Sequence, residues 1–95
     1  YSEDPVLTAT IAVAYVTALQ QSGVAACVKH LAANDTEYQR LTISSEVDEA
    51  TLREVYLLPF EQAVGAGVRV IMSAYNRLNG TFCGEHSWLL CEDDC

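Results

Sequence analysis

Helical and continuous apolar patterns alternate along the chain and divide it into two similar units. From Leu7 the apolar residues recur at the three- and four-residue spacing of a helix face, and a run of small apolar residues at 24–28 follows. That run is too short for a helix and is typical of a strand covered on both faces. A second helical pattern after Asp48 leads to a second apolar run at 68–74. This order predicts an α/β fold, in which right-handed crossovers would make the two strands parallel.

The first helix is predicted to begin at Asp4-Pro5 and to end at Ser22-Gly23. An Asp side chain accepts hydrogen bonds from the free amides of a first turn, and Pro fits the first helical position. Gly adopts the left-handed conformation of an end cap. Apolar residues occupy most of the circumference, so we expect the helix to be buried on most sides. The positions expected on the buried side are Leu7, Ile11, Val13, Ala14, Tyr15, Val16, Ala18 and Leu19.

The second helix is predicted to begin at the Asp48 cap and to continue across Pro59. Because Pro removes one amide hydrogen bond and crowds the preceding turn, we expect a kink between Val55 and Pro59. The segment 31–47 is interpreted as a long functional loop with a short extended excursion near its end, and disorder is the competing interpretation. The apolar side chains that this loop is expected to bury are Leu41, Ile43 and Val47.

Polar side chains follow both predicted strands at their carboxyl ends. Lys29 and His30 end the first strand, and Tyr75 and Asn76 follow the second. Ligands of barrels and open α/β sheets gather at the carboxyl ends of strands, because the following loops converge there. Any strand must also end in something polar where it meets water, so spacing alone leaves a solvated rim as the plainer interpretation.

The charge balance excludes one class of partner. The chain carries 13 acidic and 5 basic side chains and a net charge of -8. Because affinity for nucleic acid comes mostly from Lys and Arg neutralising phosphates, we expect no nucleic-acid partner. No apolar run approaches the ~20 residues of a membrane-spanning helix, and no leader pattern opens the chain, so we expect no membrane partner.

Length and cysteine spacing set two further limits. Closing an eight-stranded barrel takes roughly 250 residues, so two strand–helix units in 95 residues are interpreted as a fragment. The cysteines match no paired C-x-x-C spacing, so no zinc site is predicted, and the choice between disulfides and free thiols stays open. Cys27 would lie inside the first strand as a small hydrophobe. The cysteines are Cys27, Cys83, Cys91 and Cys95.

Four sequence blocks carry a resemblance to a known family. They are Ser2-Glu-Asp-Pro5; Gly23-Val-Ala-Ala-Cys-Val-Lys-His30 with Asn34, Glu37 and Arg40; Asp48-Glu-x-Thr-Leu-Arg-Glu-Val-Tyr-Leu-x-Pro-Phe-Glu61; and Met72-Ser-Ala-Tyr-Asn76 with Asn79-Gly80. In this order, the chain resembles the N-terminal barrel domain of glycoside hydrolase family 3, in its β-glucosidase branch. The resemblance implies a partial (β/α)8 TIM-barrel-like domain over residues 1–90, with about two strand–helix units and parallel strands. Residues 91–95 are expected to form an acidic, cysteine-containing tail that departs from the family.

The resemblance also implies part of a retaining β-glucosidase, which hydrolyses non-reducing terminal β-D-glucosyl residues. Lys29 and His30 would hydrogen-bond hydroxyls of the terminal glucose. Met72 would line the sugar site, and Tyr75 would lie beside the nucleophile. These side chains suit such roles, because an ammonium donates, an imidazole donates or accepts, a phenol orients a carboxylate and a thioether packs against sugar carbons.

The catalytic carboxylates of the family have no counterpart in this chain. The nucleophilic Asp follows a later strand, and the acid/base comes from a second domain, so we assign no catalytic residue here. Glu37 and Arg40 match family positions at the mouth of the site, where an ion pair would brace the loop. The acids interpreted as loop, cap or surface residues are Asp35, Glu37, Asp48 and Glu85.

The implied partners are a β-glucoside or cello-oligosaccharide substrate and the rest of the parent enzyme, with no cofactor and no metal. Two other functions stay open from the residues alone. Lys29 at a strand end suits a Schiff-base lyase, and an acidic structural or interaction segment would need no turnover. The aglycone preference and the compartment also stay open. The two N-glycosylation patterns, at Asn34 and Asn79, have a meaning only in a secretory pathway.

Overall fold

Both helices and strands form along residues 1–91, the part of the chain that this computed structural model describes. In chain order the elements are helix α1 (Pro5–Gln21), strand β1 (Cys27–Leu31), strand β2 (Ser44–Ser45), helix α2 (Glu49–Thr51), a π-helix (Leu52–Leu57), helix α3 (Leu58–Gly65), strand β3 (Val70–Ser73), strand β4 (Arg77–Leu78), strand β5 (Thr81–Phe82), a 3₁₀-helix (Cys83–Glu85) and helix α4 (Ser87–Cys91). The predicted α/β order is confirmed. The predicted tail at 91–95 lies outside the described residues except for Cys91, which ends α4.

The strands of residues 1–91 form two separate small sheets. β1 pairs with β3 in parallel, as predicted, and Lys29 lies opposite Met72. The register shifts between Lys29 and Leu31, because His30 is an extra residue with no counterpart on β3. The second sheet has the order β2, β4, β5, with β2 parallel to β4 and β4 antiparallel to β5. The strands of the second sheet therefore follow the carboxyl ends of the parallel pair along the chain.

The first helix has the predicted ends. The Asp4 carboxylate accepts hydrogen bonds from the amides of Val6 at 2.9 Å and Leu7 at 3.2 Å. Gly23 has a φ of 89°, which a residue without Cβ adopts at little cost. The helix thus begins at an acidic acceptor and ends before a glycine, as the sequence predicts.

The buried face of α1 differs from the predicted one. The covered residues are small, Ala9, Ala12 and Val16, whereas Leu7 is 48% exposed and Tyr15 is 62% exposed. α1 packs mainly against α3, and alanines permit a close approach between helix backbones. Of the other residues expected on the buried side, Ile11, Ala14 and Ala18 are exposed, and Val13 and Leu19 are half-buried. No helix within the described residues is long and apolar enough to cross a membrane.

The second helical stretch begins at Asp48 and loses its regular form before Pro59. The Asp48 carboxylate accepts from the Thr51 amide at 3.0 Å, and this hydrogen bond holds the pKa of the Asp48 carboxyl below its ordinary range. The kink expected between Val55 and Pro59 takes the form of the π-helix, Leu52–Leu57. Pro59 cannot donate to the carbonyl one turn back, and the wider turn relieves the crowding that its ring causes.

Both predicted strands are shorter and less covered than expected. β1 begins at Cys27 rather than at Val24, because β3, its partner, begins only at Val70 and ends at Ser73. Cys27 and Lys29 are exposed, so within residues 1–91 the first strand is not covered on both faces and the Cys27 thiol is not a core group.

The loop 31–47 returns to the sheet through β2, which supplies the extended excursion. The carbonyls of Ile43 and Ser45 accept from the amides of Arg77 and Asn79 at 2.8 Å and 2.9 Å. Val47 packs against the core and Ile43 is half-buried, but Leu41 is 63% exposed, so the expectation that it is buried is wrong. The hydrogen bonds to β4 fix this end of the loop, and the contact expected from Leu41 does not.

The best-packed part of the molecule lies at the carboxyl ends of β1 and β3. Five buried residues from five segments meet there, and residues of the loop, the π-helix and α4 pack around them. The cluster consists of Ala33, Leu52, Ala74, Leu78 and Cys83. The end of the sheet that was expected to carry ligand-binding side chains therefore rests on the hydrophobic core.

We predict that the isolated 95-residue chain does not unfold cooperatively. Large apolar side chains on α1 and on β3, including Val70 at 47%, are exposed, and patches of this kind bind dyes and drive association. The expected outcome is strong binding of an apolar fluorescent dye and a broad thermal transition in near-ultraviolet circular dichroism. A monomer in size-exclusion chromatography with one sharp transition would contradict this prediction.

Candidate functional site

An open cavity of 990 Å³ lies between α1, β1 and the second helical stretch. Lys29 and His30 line it at the carboxyl end of β1, and Asn34, Asp35 and Tyr56 line it from the following loop and the π-helix. Apolar residues of α1 and β1 form much of the remaining wall. A cavity with an apolar wall and a few convergent polar groups is the usual form of a small-molecule site.

Lys29 and Met72 occupy matched positions in the parallel pair. Side chains at matched positions project from the same face of a sheet, so the ammonium stem and the thioether are neighbours. Lys29 is exposed and Met72 is half-buried. Among the described residues Lys29 has no ion pair, whereas Arg40 and Arg53 each contact a carboxylate. The Lys29 ammonium thus keeps its three donors for water or a ligand.

Tyr75 lies beyond β3 and contacts the loop rather than the cavity wall. The Arg40 guanidinium carbon is 5.8 Å from the centre of the Tyr75 ring, within the range of a cation–π contact. Arg40 also donates to the Glu37 carboxylate at 2.8 Å. Both members of this ion pair are largely exposed, so it contributes little stability. The three side chains connect the loop after β1 with the end of β3.

The four residues expected to bind a sugar therefore lie at one end of the parallel pair, in two groups. Lys29 and His30 line the cavity, and Met72 lies beside Lys29 on the sheet. Tyr75 is grouped with Arg40, and neither Met72 nor Tyr75 lines the cavity. The described residues bring the two groups to the same carboxyl end but do not enclose them in one pocket.

Tyr56 and Asp35 form a contact that the sequence did not indicate. The Asp35 carboxylate accepts from the Tyr56 phenol, and this hydrogen bond together with the negative charge raises the pKa of Tyr56. The hydrogen bond requires the protonated phenol, and a phenolate would be repelled by the carboxylate. The contact ties the loop after β1 to the π-helix at the edge of the cavity.

Asn76, which the sequence places with Tyr75 at the end of the second strand, is buried, and its role in the core is not visible from the sequence. It is 0% exposed, and its amide nitrogen lies 2.9 Å from the Arg77 carbonyl and 3.3 Å from the Ala32 carbonyl. Tyr75 and Asn76 are adjacent polar residues at the same strand end, but Tyr75 is exposed and Asn76 is buried. A pattern of polar residues does not distinguish a buried amide from an exposed one, so only the tertiary structure shows the difference.

The two asparagines of the N-glycosylation patterns differ in their contacts. The Asn79 side chain accepts from the Val47 amide and donates to the Val47 carbonyl, both at 2.8 Å. The Asn34 side-chain oxygen is buried and has no hydrogen-bond partner among the described residues. Asn79 is exposed although its amide is hydrogen-bonded, and Asn34 is half-buried.

The cysteines for which the structure gives a state are free thiols. Cys27 and Cys91 are exposed, and Cys83 is buried, which raises the pKa of its thiol. Cys95 lies outside the described residues. Within 1–91 no group of three or more His, Cys, Asp or Glu side chains is placed to hold a metal ion.

We predict that replacing Asp35 by Asn lowers the pKa of Tyr56. The carboxylate stabilises the neutral phenol, so the stabilisation is present below the ordinary phenol pKa of 10.0 and is lost as the pH rises through the raised value. With 3-fluorotyrosine at position 56 of the folded protein, the fluorine resonance should titrate at lower pH in Asp35→Asn than in the parent. The same midpoint in both proteins would contradict the contact.

Comparisons with known proteins agree with this architecture. The family model described as Glycosyl hydrolase family 3 N terminal domain matches residues 1–92. A beta-glucosidase of Rhizobium radiobacter is 60% identical over 91 residues, which cover 95% of this chain and 11% of the relative. Thermostable beta-glucosidase B of Acetivibrio thermocellus is 48% identical over 93 residues, which cover 97% of this chain and 12% of the relative. The chain thus spans about one eighth or less of these relatives.

Solved structures share the same backbone path. Beta-glucosidase 3B from Thermotoga neapolitana in complex with glucose has a TM-score of 0.94 and 46% identity over 97% of this chain and 13% of that chain. Beta-glucosidase from Kluyveromyces marxianus in complex with glucose has a TM-score of 0.94 and 43% identity over 97% of this chain and 11% of that chain. Because the family model matches residues 1–92, nearly the whole of this chain, the chain belongs to glycosyl hydrolase family 3 and forms part of the N-terminal domain.

Proposed function

We propose that this chain supplies part of the glucose-binding surface of a retaining β-glucosidase. The observation that carries the proposal is the position of Lys29 and His30, which line a cavity at the carboxyl end of β1. That end belongs to a backbone that superposes on two β-glucosidases described as complexes with glucose. Ligand sites of parallel α/β folds lie at this end of the strands.

The parallel pair is proposed to be part of a (β/α)8 barrel. β1 and β3 pair directly, and the helical stretch between them forms the crossover. The exposed apolar side of α1 and the exposed residues of β3 would be covered by neighbouring strands and helices of the parent enzyme. A barrel of eight strands supplies such neighbours on both sides of every strand.

Each predicted residue has a proposed role that follows from its chemistry. The Lys29 ammonium donates to sugar hydroxyls, and the His30 imidazole donates or accepts at a neighbouring hydroxyl. Met72, beside Lys29, packs its thioether against the carbon face of the pyranose. Tyr75 donates from its phenol to the nucleophilic carboxylate of the parent enzyme.

The carboxylates that cleave the glycosidic bond are proposed to come from other segments of the parent. Cleavage with retention requires a nucleophile and an acid/base about 5 Å apart across the bond. Three of the acids interpreted above as loop or cap residues have other contacts, because Asp35 contacts Tyr56, Glu37 contacts Arg40 and Asp48 caps a helix. We therefore expect this chain alone to hydrolyse no β-glucoside.

We predict that Lys29→Ala and His30→Ala each weaken transition-state binding in the assembled enzyme. A suitable enzyme is a chimera in which this chain replaces the corresponding segment of the Rhizobium radiobacter relative, since the two are 60% identical over 91 residues. Charge-assisted hydrogen bonds contribute about 1.5–3 kcal/mol, so kcat/KM for an aryl β-glucoside should fall by about 10- to 100-fold.

Arg69→Ala is the matched control for that experiment. Arg69 is another exposed cation, but it lies just before β3 at the amino end of the sheet, so its loss should leave kcat/KM unchanged. An active chimera in which Lys29→Ala and His30→Ala behave like Arg69→Ala would exclude both residues from the sugar site. A chimera that folds without hydrolysing β-glucosides would favour a non-catalytic role for the chain.

We predict that Glu37→Gln has a small, salt-dependent effect and that Arg40→Ala has a larger one. An exposed ion pair contributes about 0.2–1 kcal/mol and is screened by salt. Arg40→Ala also removes the contact with the Tyr75 ring, so the orientation of Tyr75 is lost as well. Measuring kcat/KM of both chimeras at low and high salt checks this order. If Glu37→Gln and Arg40→Ala lower kcat/KM equally, Arg40 acts only through its ion pair with Glu37.

A further inference from the structure

We propose that Asn76 is a positioning residue that sets the distance between the Lys29-His30 segment and Tyr75. This inference rests on the proposed function, because it concerns the same sugar site. It assigns no contact between Asn76 and the substrate. Asn76 acts through the two segments that its amide connects.

The Asn76 amide nitrogen lies where three segments meet. Its four acceptors are the carbonyls of Arg77 at 2.9 Å, Ala32 at 3.3 Å and Ala33 at 3.5 Å, and the Ser45 hydroxyl at 3.4 Å. These acceptors belong to the end of β1, to β2 and to β4. Two amide hydrogens shared among four acceptors hold the three segments at a fixed separation without filling the space with a larger side chain.

The surrounding acceptors also fix the orientation of this amide. Three of the four neighbours of the nitrogen are carbonyls, which can only accept, so a flipped amide would place oxygen against oxygen. The side-chain oxygen is buried and has no partner among the described residues. The acceptors around the nitrogen thus select a single orientation of the amide. An Asp at this position has no N–H group to donate and could not replace Asn76.

Neighbouring hydrogen bonds make the connection rigid. Ser45 Oγ donates to the Ala33 carbonyl at 2.8 Å, and the Cys83 amide donates to the Asn76 carbonyl at 3.2 Å. The Ala74 amide donates to the Leu31 carbonyl at 2.6 Å. The first bond joins the chain after β1 to β2, the second joins the 3₁₀-helix to the chain after β3, and the third joins the end of β1 to the chain after β3.

The connected segments are the ones that carry the predicted site. Ala32 follows His30 by two residues, and Asn76 directly follows Tyr75. Loss of the Asn76 amide would leave the Ala33 carbonyl with only the Ser45 hydroxyl and the Ala32 carbonyl with only the weak Cys83 thiol donor, and would allow the chain after β1 to shift relative to β3. Displacement of binding groups by about 1 Å costs up to about 100-fold in rate, even when the altered residue is far from the reacting atoms.

The test is a double-mutant cycle in the chimera that contains this chain. Asn76→Ala, Lys29→Ala and the double variant are assayed on an aryl β-glucoside, with activities normalised to active sites titrated by a slow fluorinated glucoside. Asn76→Ala should lower kcat/KM by about 100-fold alone. In the Lys29→Ala background it should cost much less, because Asn76 acts partly by placing Lys29 and the two losses are coupled.

Asn79→Ala is the matched control, since Asn79 also bridges two segments of the second sheet through its amide but does not contact β1. Asn79→Ala should lower kcat/KM only slightly. The double variant with Lys29→Ala should lose kcat/KM by the product of the two single losses, to within about twofold, as for independent sites. If Asn76→Ala behaves like Asn79→Ala, or multiplies with Lys29→Ala, the positioning role is wrong.

Ser45→Ala repeats the cycle in case Asn76→Ala fails to fold. It removes one acceptor of Asn76 and the bond to Ala33 while leaving the buried amide in place. A smaller loss, again coupled to Lys29, supports the proposal, and an independent loss overturns it. If the unsubstituted chimera hydrolyses no β-glucoside, the proposed function fails and this inference fails with it. An active chimera with uncoupled variants overturns the inference alone.

Discussion

Parallel pairing between β1 and β3 determines where the polar side chains of the candidate site can lie. Because both strands run in the same direction, Lys29, His30 and Tyr75 follow at one end of the sheet, although they are far apart in sequence. The pairing also requires a crossover, which the helical stretch after Asp48 provides. The hydrophobic core then forms at the same end, so the loops that carry polar residues rest on packed side chains.

The contact between α1 and α3 shows why a hydrophobic pattern alone could not identify the buried side of α1. Apolar residues occupy nearly all of its circumference, so the periodicity has no sharp minimum to indicate one face. The structure selects Ala9 and Ala12 because small side chains allow two helices to approach closely. Leu7 and Tyr15 remain on the other side, where a larger enzyme would offer a second apolar contact.

Local rules predicted the caps and the strand order, and long-range contacts decided the rest. Asp4 and Asp48 act within one helical turn, so their roles can be read from adjacent residues. The β4–β5 hairpin was also readable, since an Asn-Gly turn favours the positive φ values of 48° and 90° at Asn79 and Gly80, yet it was not predicted. Asn76 could not have been found in this way, because its acceptors include residues more than 40 positions away.

The unpaired ammonium of Lys29 connects the fold to the proposed chemistry. The chain is acidic overall, and two of its arginines have a carboxylate beside them, but Lys29 has none within residues 1–91. Enclosing such a cation in a barrel would carry a large desolvation cost unless sugar oxygens or carboxylates replaced its water. In the proposed enzyme the substrate supplies the sugar oxygens, and the catalytic residues supply the carboxylates. A cation that has no carboxylate beside it within the described part of the chain therefore suits a surface that binds the sugar while other segments cleave the bond.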